Sequence, residues 1–222
     1  MAPADVLPRT DASSNESSRV LLVIGKALAN LVAVTLRHGK YETRDCTNET
    51  EARQLMQDWR PHMALIDIDH HQNFIELLGG GRSYATLALV DLDRGESSFT
   101  AFGQGADDVV RVPFTPDELA IRVAQVLRRF GQPTAFVRNI LRAGLELSLD
   151  EYVLVDSRMI PLGAAQNSLL YLLAANADRE VRRADIRELV WGIERSADDA
   201  GVDQAVARLR RSLGGLPGGI PN

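Results

Sequence analysis

Short apolar runs alternate with helix-periodic stretches over the first 130 residues. Val20-Leu21-Leu22-Val23-Ile24, bounded by Gly25, is continuously apolar, as in a strand buried on both faces. Leu28, Leu31, Val32, Thr35 and Leu36 recur at i, i+3, i+4, i+7 and i+8, which predicts an amphipathic helix stopped near Gly39. Tyr41 to Cys46 reads as a short strand. Asn48, with Glu51 three residues later, has the spacing of an N-cap and its reciprocal partner and opens a helix to about Asp58. Met63 to Ile68 is a second buried strand. Phe74 to Leu78 reads as a short helix ended by Gly79-Gly80-Gly81, and Thr86 to Val90 as a third apolar strand. A helix over about Glu96 to Gln104 and a last strand over Val109 to Val112 follow. Thr115, Pro116 and Glu118 have the order of a cap, a first-turn proline and a capping-box acid. Leu119, Val123, Val126, Leu127 and Phe130 continue that helix at core-facing spacing. This alternation predicts an α/β domain: a doubly wound, five-stranded parallel sheet with right-handed crossovers. Its chemistry belongs at the C-terminal ends of the strands, in the loops after Ile24, Ile68 and Val90.

The pattern changes after Gly131-Gln132-Pro133. Strand-like pieces at Leu145 to Leu149 and Tyr152 to Val155 flank Asp150-Glu151. Helical spacing then returns at Leu169, Leu170, Leu172 and Leu173, at Ile186, Leu189 and Val190, and at Val202, Ala205, Val206, Leu209 and Leu213. Three helices behind a small antiparallel sheet make a helix-turn-helix plan. The chain thus divides into a disordered tail (1–18), an α/β domain (19–130), a linker (131–137) and a smaller second domain (138–222).

Composition narrows the function. The 222 residues are 45% hydrophobic and 25% charged, near the globular average, which excludes wholesale disorder. With 25 basic against 30 acidic residues the net charge is −5, which argues against binding nucleic acid by bulk charge. The acidity is uneven. Residues 1–131 carry 14 basic and 18 acidic side chains, whereas residues 201–222 hold three arginines against Asp203 alone. One cysteine, Cys46, excludes an internal disulfide framework and a cysteine zinc cluster, and its place on a strand suits the core better than nucleophilic chemistry. No apolar run approaches the roughly 18–20 residues of a membrane span, and Met1 to Ser18 lacks the pattern of a secretory signal. A cytoplasmic protein without a membrane partner is expected. Only Lys26 and Lys40 among the basic residues are lysine. That bias suits a GC-rich genome, and it also suits bidentate contacts to phosphate and guanine.

The ordered motifs resemble an OmpR/PhoB-type response regulator, a CheY-like receiver followed by a winged helix-turn-helix. Gly105-Ala106-Asp107-Asp108, Pro113-Phe114 and Glu118-Leu119 are similar to the family's last receiver strand and final helix. Ile186-Arg187-Glu188-Leu189-Val190-Trp191-Gly192 and Val202-Asp203 through Arg208-Leu209-Arg210-Arg211 are similar to its second domain. The resemblance implies a phospho-acceptor aspartate, which falls on Asp67. It also implies an acidic pair after the first strand to hold Mg²⁺, because transfer of a phosphoryl group to a carboxylate needs its charge neutralised. Ile24 and Gly25 stand there, beside Lys26. Val112 occupies the expected lysine position, and Leu89-Val90-Asp91 offers no aligned hydroxyl. The receiver is therefore read as degenerate and Asp67 as an inactive acceptor position. Asp67, Asp69, His70 and His71 have metal-ligand chemistry, but neighbours on an extended strand point to opposite faces, so no metal or other cofactor is expected. No catalytic constellation is found, and an enzyme is not expected.

The same resemblance implies a homodimer with cross-subunit ion pairs. Asp108 and Arg122 match one pair, and Glu118 one member of another whose basic partner falls on Ser98. It implies that the last helix reads double-stranded operator DNA. Gln204, Arg208, Arg210 and Arg211 lie on its predicted outward side, with Arg208 and Arg211 neighbours at i, i+3. Arg195, Arg182 and Arg183 are candidate phosphate contacts. Ala200, Ala205 and Ala207 stand where the family places basic residues, so base contacts should be fewer. The family's wing, a β-hairpin after the last helix, has no room between Gly214 and Asn222, and a shortened or fragmentary domain is expected. A histidine kinase or other regulatory protein is a further partner implied by the resemblance. The alternative is a pseudo-receiver interaction module that no longer reads DNA specifically.

Overall fold

The computed structural model describes residues 17–71, 84–91, 95–192 and 198–214. Five parallel strands, β1 (Arg19–Val23), β2 (Glu42–Cys46), β3 (Met63–Asp67), β4 (Ala85–Asp91) and β5 (Asp108–Val112), pair in the order β2-β1-β3-β4-β5. Helices α1 (Lys26–Leu36), α2 (Glu49–Asp58), α3 (Gly95–Gly103) and α4 (Pro116–Arg129) accompany them. The side-chain alternation of a strand explains the unbroken apolar runs. Val20 and Leu22 enter one core with α1 and α4, while Leu21 and Val23 enter another with Ala52 and Leu55 of α2. In register, Asp67 lies opposite Leu89 and Asp91 opposite Val112, which brings the carboxyl ends of β3, β4 and β5 to one edge.

Most local signals form as the sequence predicts. Asn48 caps α2, its side chain accepting from the Glu51 amide at 2.9 Å. The capping box at Thr115 does not form: Thr115 makes no side-chain cap bond, and Glu118 turns to Arg122 at 3.6 Å. Pro116 and the acids Asp117 and Glu118 still favour that end through fixed φ and the helix dipole. Ser18 belongs to the domain rather than to a tail, being buried with its carbonyl accepting from the Glu42 amide at 3.0 Å. The helix expected at Phe74 to Leu78, its glycine stop and the rest of the tail lie outside the described residues.

The second domain opens with a four-stranded antiparallel meander, β6 (Asn139–Arg142), β7 (Leu145–Ser148), β8 (Tyr152–Val155) and β9 (Arg158–Pro161). β6 and β9 escape the periodicity because each buries too few apolar residues to show it. Their turn chemistry does signal them. Ala143-Gly144 and Asp156-Ser157 all have positive φ, the geometry of two-residue hairpin loops. Three helices follow: α5 (Ala164–Ala175), α6 (Arg183–Trp191) and α7 (Asp199–Leu213). Among the described residues no helix is long and apolar enough to cross a membrane.

The two domains share a seam. α1 packs along α5, and apolar side chains from both domains form one continuous cluster that includes Leu28, Leu31, Leu169, Leu170 and Leu172. Asn30 donates to Asn176 across the seam at 2.8 Å.

Candidate nucleic-acid interface and acceptor loop

The acceptor loop closes on itself. Asp67 ends β3, and its Oδ1 accepts from the amides of Asp69 and His70 at 3.1 and 3.2 Å. Its Oδ2 meets His70 Nδ1 at 2.8 Å. This is the backbone turn a short acidic side chain favours, and it consumes both carboxylate oxygens. Asp69 points elsewhere, accepting from the Asp91 amide at the end of β4 at 2.7 Å. Among the described residues no group of three His, Cys, Asp or Glu side chains is placed to hold a metal. At the end of β1, Ile24 is fully buried and offers no carboxylate. Lys26 is paired with Asp45, near the end of β2, at 2.7 Å. The residues present therefore do not fit the Mg²⁺ that the resemblance implies. Cys46 is buried, and burial, then Glu51 and Asp45, push its thiol up to about 12, which leaves it inert as a nucleophile.

The second domain faces this edge through the C-terminal part of α6. Gly192, with φ +83°, sits so close to Pro113 that an added Cβ would lie 3.1 Å from Pro113 Cδ. Glu188 of α6 feels the charges of the loop. Loss of solvent pushes its carboxyl up; His70 opposes this, and Asp185, Asp91 and Asp67 add to it. Sequence periodicity marks Glu188 only as an outward residue of its helix and carries no sign of this neighbourhood.

α7 has the opposite character. Asp198 caps it, accepting from the Gly201 amide at 2.9 Å. Val202, Leu209 and Leu213 are buried against the rest of the domain, so the 3.6-residue period turns Gln204, Ala207, Arg208, Arg210 and Arg211 outward. All five are exposed, and none of the three arginines has an ion pair among the described residues. Three arginines beside them are held. Arg182 pairs with Asp185 at 2.6 Å, Arg183 with Asp203 at 3.0 Å and Arg187 with Asp199 at 3.4 Å. Arg187 belongs to this basic rim although its sequence neighbourhood did not single it out. Arg195 lies outside the described residues, as do residues 215–222.

Residues 157–219, from the β8–β9 turn through α7, match the family model described as transcriptional regulatory protein, C terminal. The heme response regulator HssR of Staphylococcus epidermidis is 30% identical over 213 residues, covering 88% of this chain and 88% of that protein. The chain belongs to the OmpR/PhoB-type response regulators. Similar relatives include the phosphate regulon transcriptional regulatory protein PhoB of Pseudomonas aeruginosa, 29% identical over 204 residues, covering 88% of this chain and 89% of that one. The transcriptional regulatory protein TrcR of Mycobacterium tuberculosis is 29% identical over 216 residues, covering 93% and 84%. The architecture of this response regulator, a five-stranded parallel receiver sheet followed by a smaller DNA-binding domain with an antiparallel sheet, agrees with that membership.

In the regulator's receiver, the charges expected to pair across a dimer meet within the chain. Arg122 lies 3.4 Å from Asp108 and 3.6 Å from Glu118, and Arg129 lies 3.8 Å from Asp108. Beside them the surface is apolar: Phe99 and Phe102 of α3 and Ile121 of α4 are 83%, 51% and 49% exposed.

Proposed function

We propose that this response regulator reads operator DNA with α7, as a receiver-mediated dimer, and does so without aspartyl phosphorylation at Asp67. The observation that carries the reading is the contrast on α7. Among the described residues Arg208, Arg210 and Arg211 are exposed and have no ion pair, whereas Arg182, Arg183 and Arg187 beside them are tied to carboxylates. Unpaired guanidiniums on the outward side of a last helix suit phosphates and guanine edges in a major groove. The exposed pairs of Arg183 and Arg187 are worth only ~0–1 kcal/mol and exchange readily for phosphates.

Phosphorylation independence rests on the closed acceptor loop. Both oxygens of Asp67 are engaged, and Glu188, which feels the charge of Asp67, would repel an added phosphoryl group. Dimerisation is supported by the position of Phe99, Phe102 and Ile121. The second domain docks through α5 along α1, leaving these apolar side chains uncovered next to Asp108, Glu118 and Arg122. Exposed apolar patches on soluble proteins mark interfaces, and intrachain ion pairs at their rim can exchange for the same pairs across a two-fold axis. Two subunits would then place their α7 helices on half-sites about one helical turn apart.

The test is a salt titration of the full chain on random and on selected DNA. A steep fall of affinity with salt, together with preference for the selected sequence, is the expected result. Absence of binding to either leaves the interaction-module reading. For the dimer, Arg122→Glu should shift the mass in solution from two chains to one, and an unchanged dimer places the interface elsewhere.

A further inference from the structure

The polar groups buried in the seam between the domains remain without a role in this reading, and one of them is a histidine. His38 sits on the turn after α1 and has no solvent exposure. Its Nδ1 lies 2.8 Å from the Val137 carbonyl, in the linker, and its Nε2 lies 2.7 Å from the Tyr171 hydroxyl of α5. The Val137 amide returns a bond to the His38 carbonyl at 2.7 Å. One side chain thus ties receiver, linker and DNA-binding domain together.

We propose that His38 and Tyr171 form a proton-sensitive clasp, which holds the second domain against α1 when His38 is neutral and releases it when His38 is protonated. The clasp concerns the docking of the two domains and stands whether or not α7 reads DNA.

The bonding pattern specifies a neutral imidazole. A carbonyl only accepts, so Nδ1 carries the hydrogen that Val137 receives. Nε2 is then a lone pair, and it accepts from the Tyr171 hydroxyl. A second ring proton would point at that hydroxyl from 2.7 Å and force its hydrogen to turn away. Tyr171 is itself fully buried, with no second hydrogen-bond partner among the described residues. No described carboxylate pairs with His38 to neutralise the imidazolium. Arg37 and Lys40, its exposed neighbours on the same turn, are cationic. Arg138, next to Val137, is paired with Asp150 at 2.9 Å, and Arg142 of β6 donates to the Ala174 and Ala175 carbonyls. Burial raises the Tyr171 phenol above its ordinary value, and Asp117 of α4 and then Asp150 add to this.

Burial lowers the pKa of His38 below its ordinary value, with the Val137 carbonyl pulling weakly the other way. The docked state therefore binds its proton less readily than an undocked state in which the ring meets water. Docking is complete above the ordinary histidine value of about 6.5 and weakens as pH falls through the lowered one. For a single proton, the ratio of open to docked molecules rises by at most about tenfold per pH unit over that window.

The experiment follows the full chain from about pH 7.5 to about pH 5.5, using small-angle scattering for the separation of the domains and hydrogen exchange for the Val137 amide. Far-UV circular dichroism monitors secondary structure in parallel. The expected result is a rise in radius of gyration and loss of Val137 protection while secondary structure is retained. In His38→Gln, which does not titrate, docking should no longer vary with pH, whatever its extent. Three results overturn the clasp: no opening in the wild type over the whole range, opening of the same pH dependence in His38→Gln, or opening that coincides with loss of secondary structure.

Discussion

The acceptor loop and α7 are both polar surfaces at the ends of buried elements, yet they are built in opposite ways. At Asp67 every oxygen is engaged by the loop itself, and Asp69 is spent on the end of β4. On α7, Arg208, Arg210 and Arg211 project from a helix whose apolar side is fixed in the core, and nothing described on the chain meets them. The difference separates groups that are satisfied within the fold from groups that no described side chain satisfies. A carboxylate whose hydrogen bonds hold its own turn has little capacity for a new covalent partner. An unpaired guanidinium on a rigid helix loses little on binding, because its position is already set.

Four measurements would break or sharpen this contrast. The largest effect is expected for Arg208→Ala combined with Arg211→Ala. Each bidentate contact is worth about 1–3 kcal/mol of discrimination, so affinity for a selected operator should fall by at least tenfold while affinity for random DNA falls less. Fluorescence anisotropy reads this directly, and equal loss on both DNAs would make the two arginines phosphate contacts only. Arg210→Ala should weaken binding more evenly across sequences and lower the slope of log affinity against log salt by about 0.9. Asp203→Ala frees Arg183 from its carboxylate, and a gain in affinity within about 1 kcal/mol is expected. The smallest effect belongs to Asp67→Asn, whose remaining amide oxygen can still accept from the loop. Its DNA affinity should match the wild type, and neither protein should gain mass after incubation with acetyl phosphate and Mg²⁺. A phosphoryl adduct on the wild type that Asp67→Asn loses would make Asp67 a working acceptor.

The orientation of α7 was legible in the sequence. The outward positions of α7 follow from the spacing of Val202, Leu209 and Leu213, because a helix repeats every 3.6 residues regardless of what it packs against. The Asn48 cap and the five-stranded parallel sheet were likewise local or topological. Arg183 was legible as a basic residue but not as a member of an ion pair, since Asp203 lies 20 positions from it along the chain. β6 and β9 were lost because periodicity needs several buried residues to register.

The sequence alone determined the two domains, the parallel sheet and the basic outer side of α7. These depend on residue type and short-range spacing. The tertiary structure alone decided where the second domain rests, with His38 meeting Tyr171 across 133 positions and Asn30 meeting Asn176 across 146. It also brought Gly192 against Pro113 and set Glu188 within the field of Asp67. A hydrophobic pattern states that a side of a helix is buried. Which surface buries it is settled by shape and by the pairing of buried polar groups, and both exist only once the chain is folded.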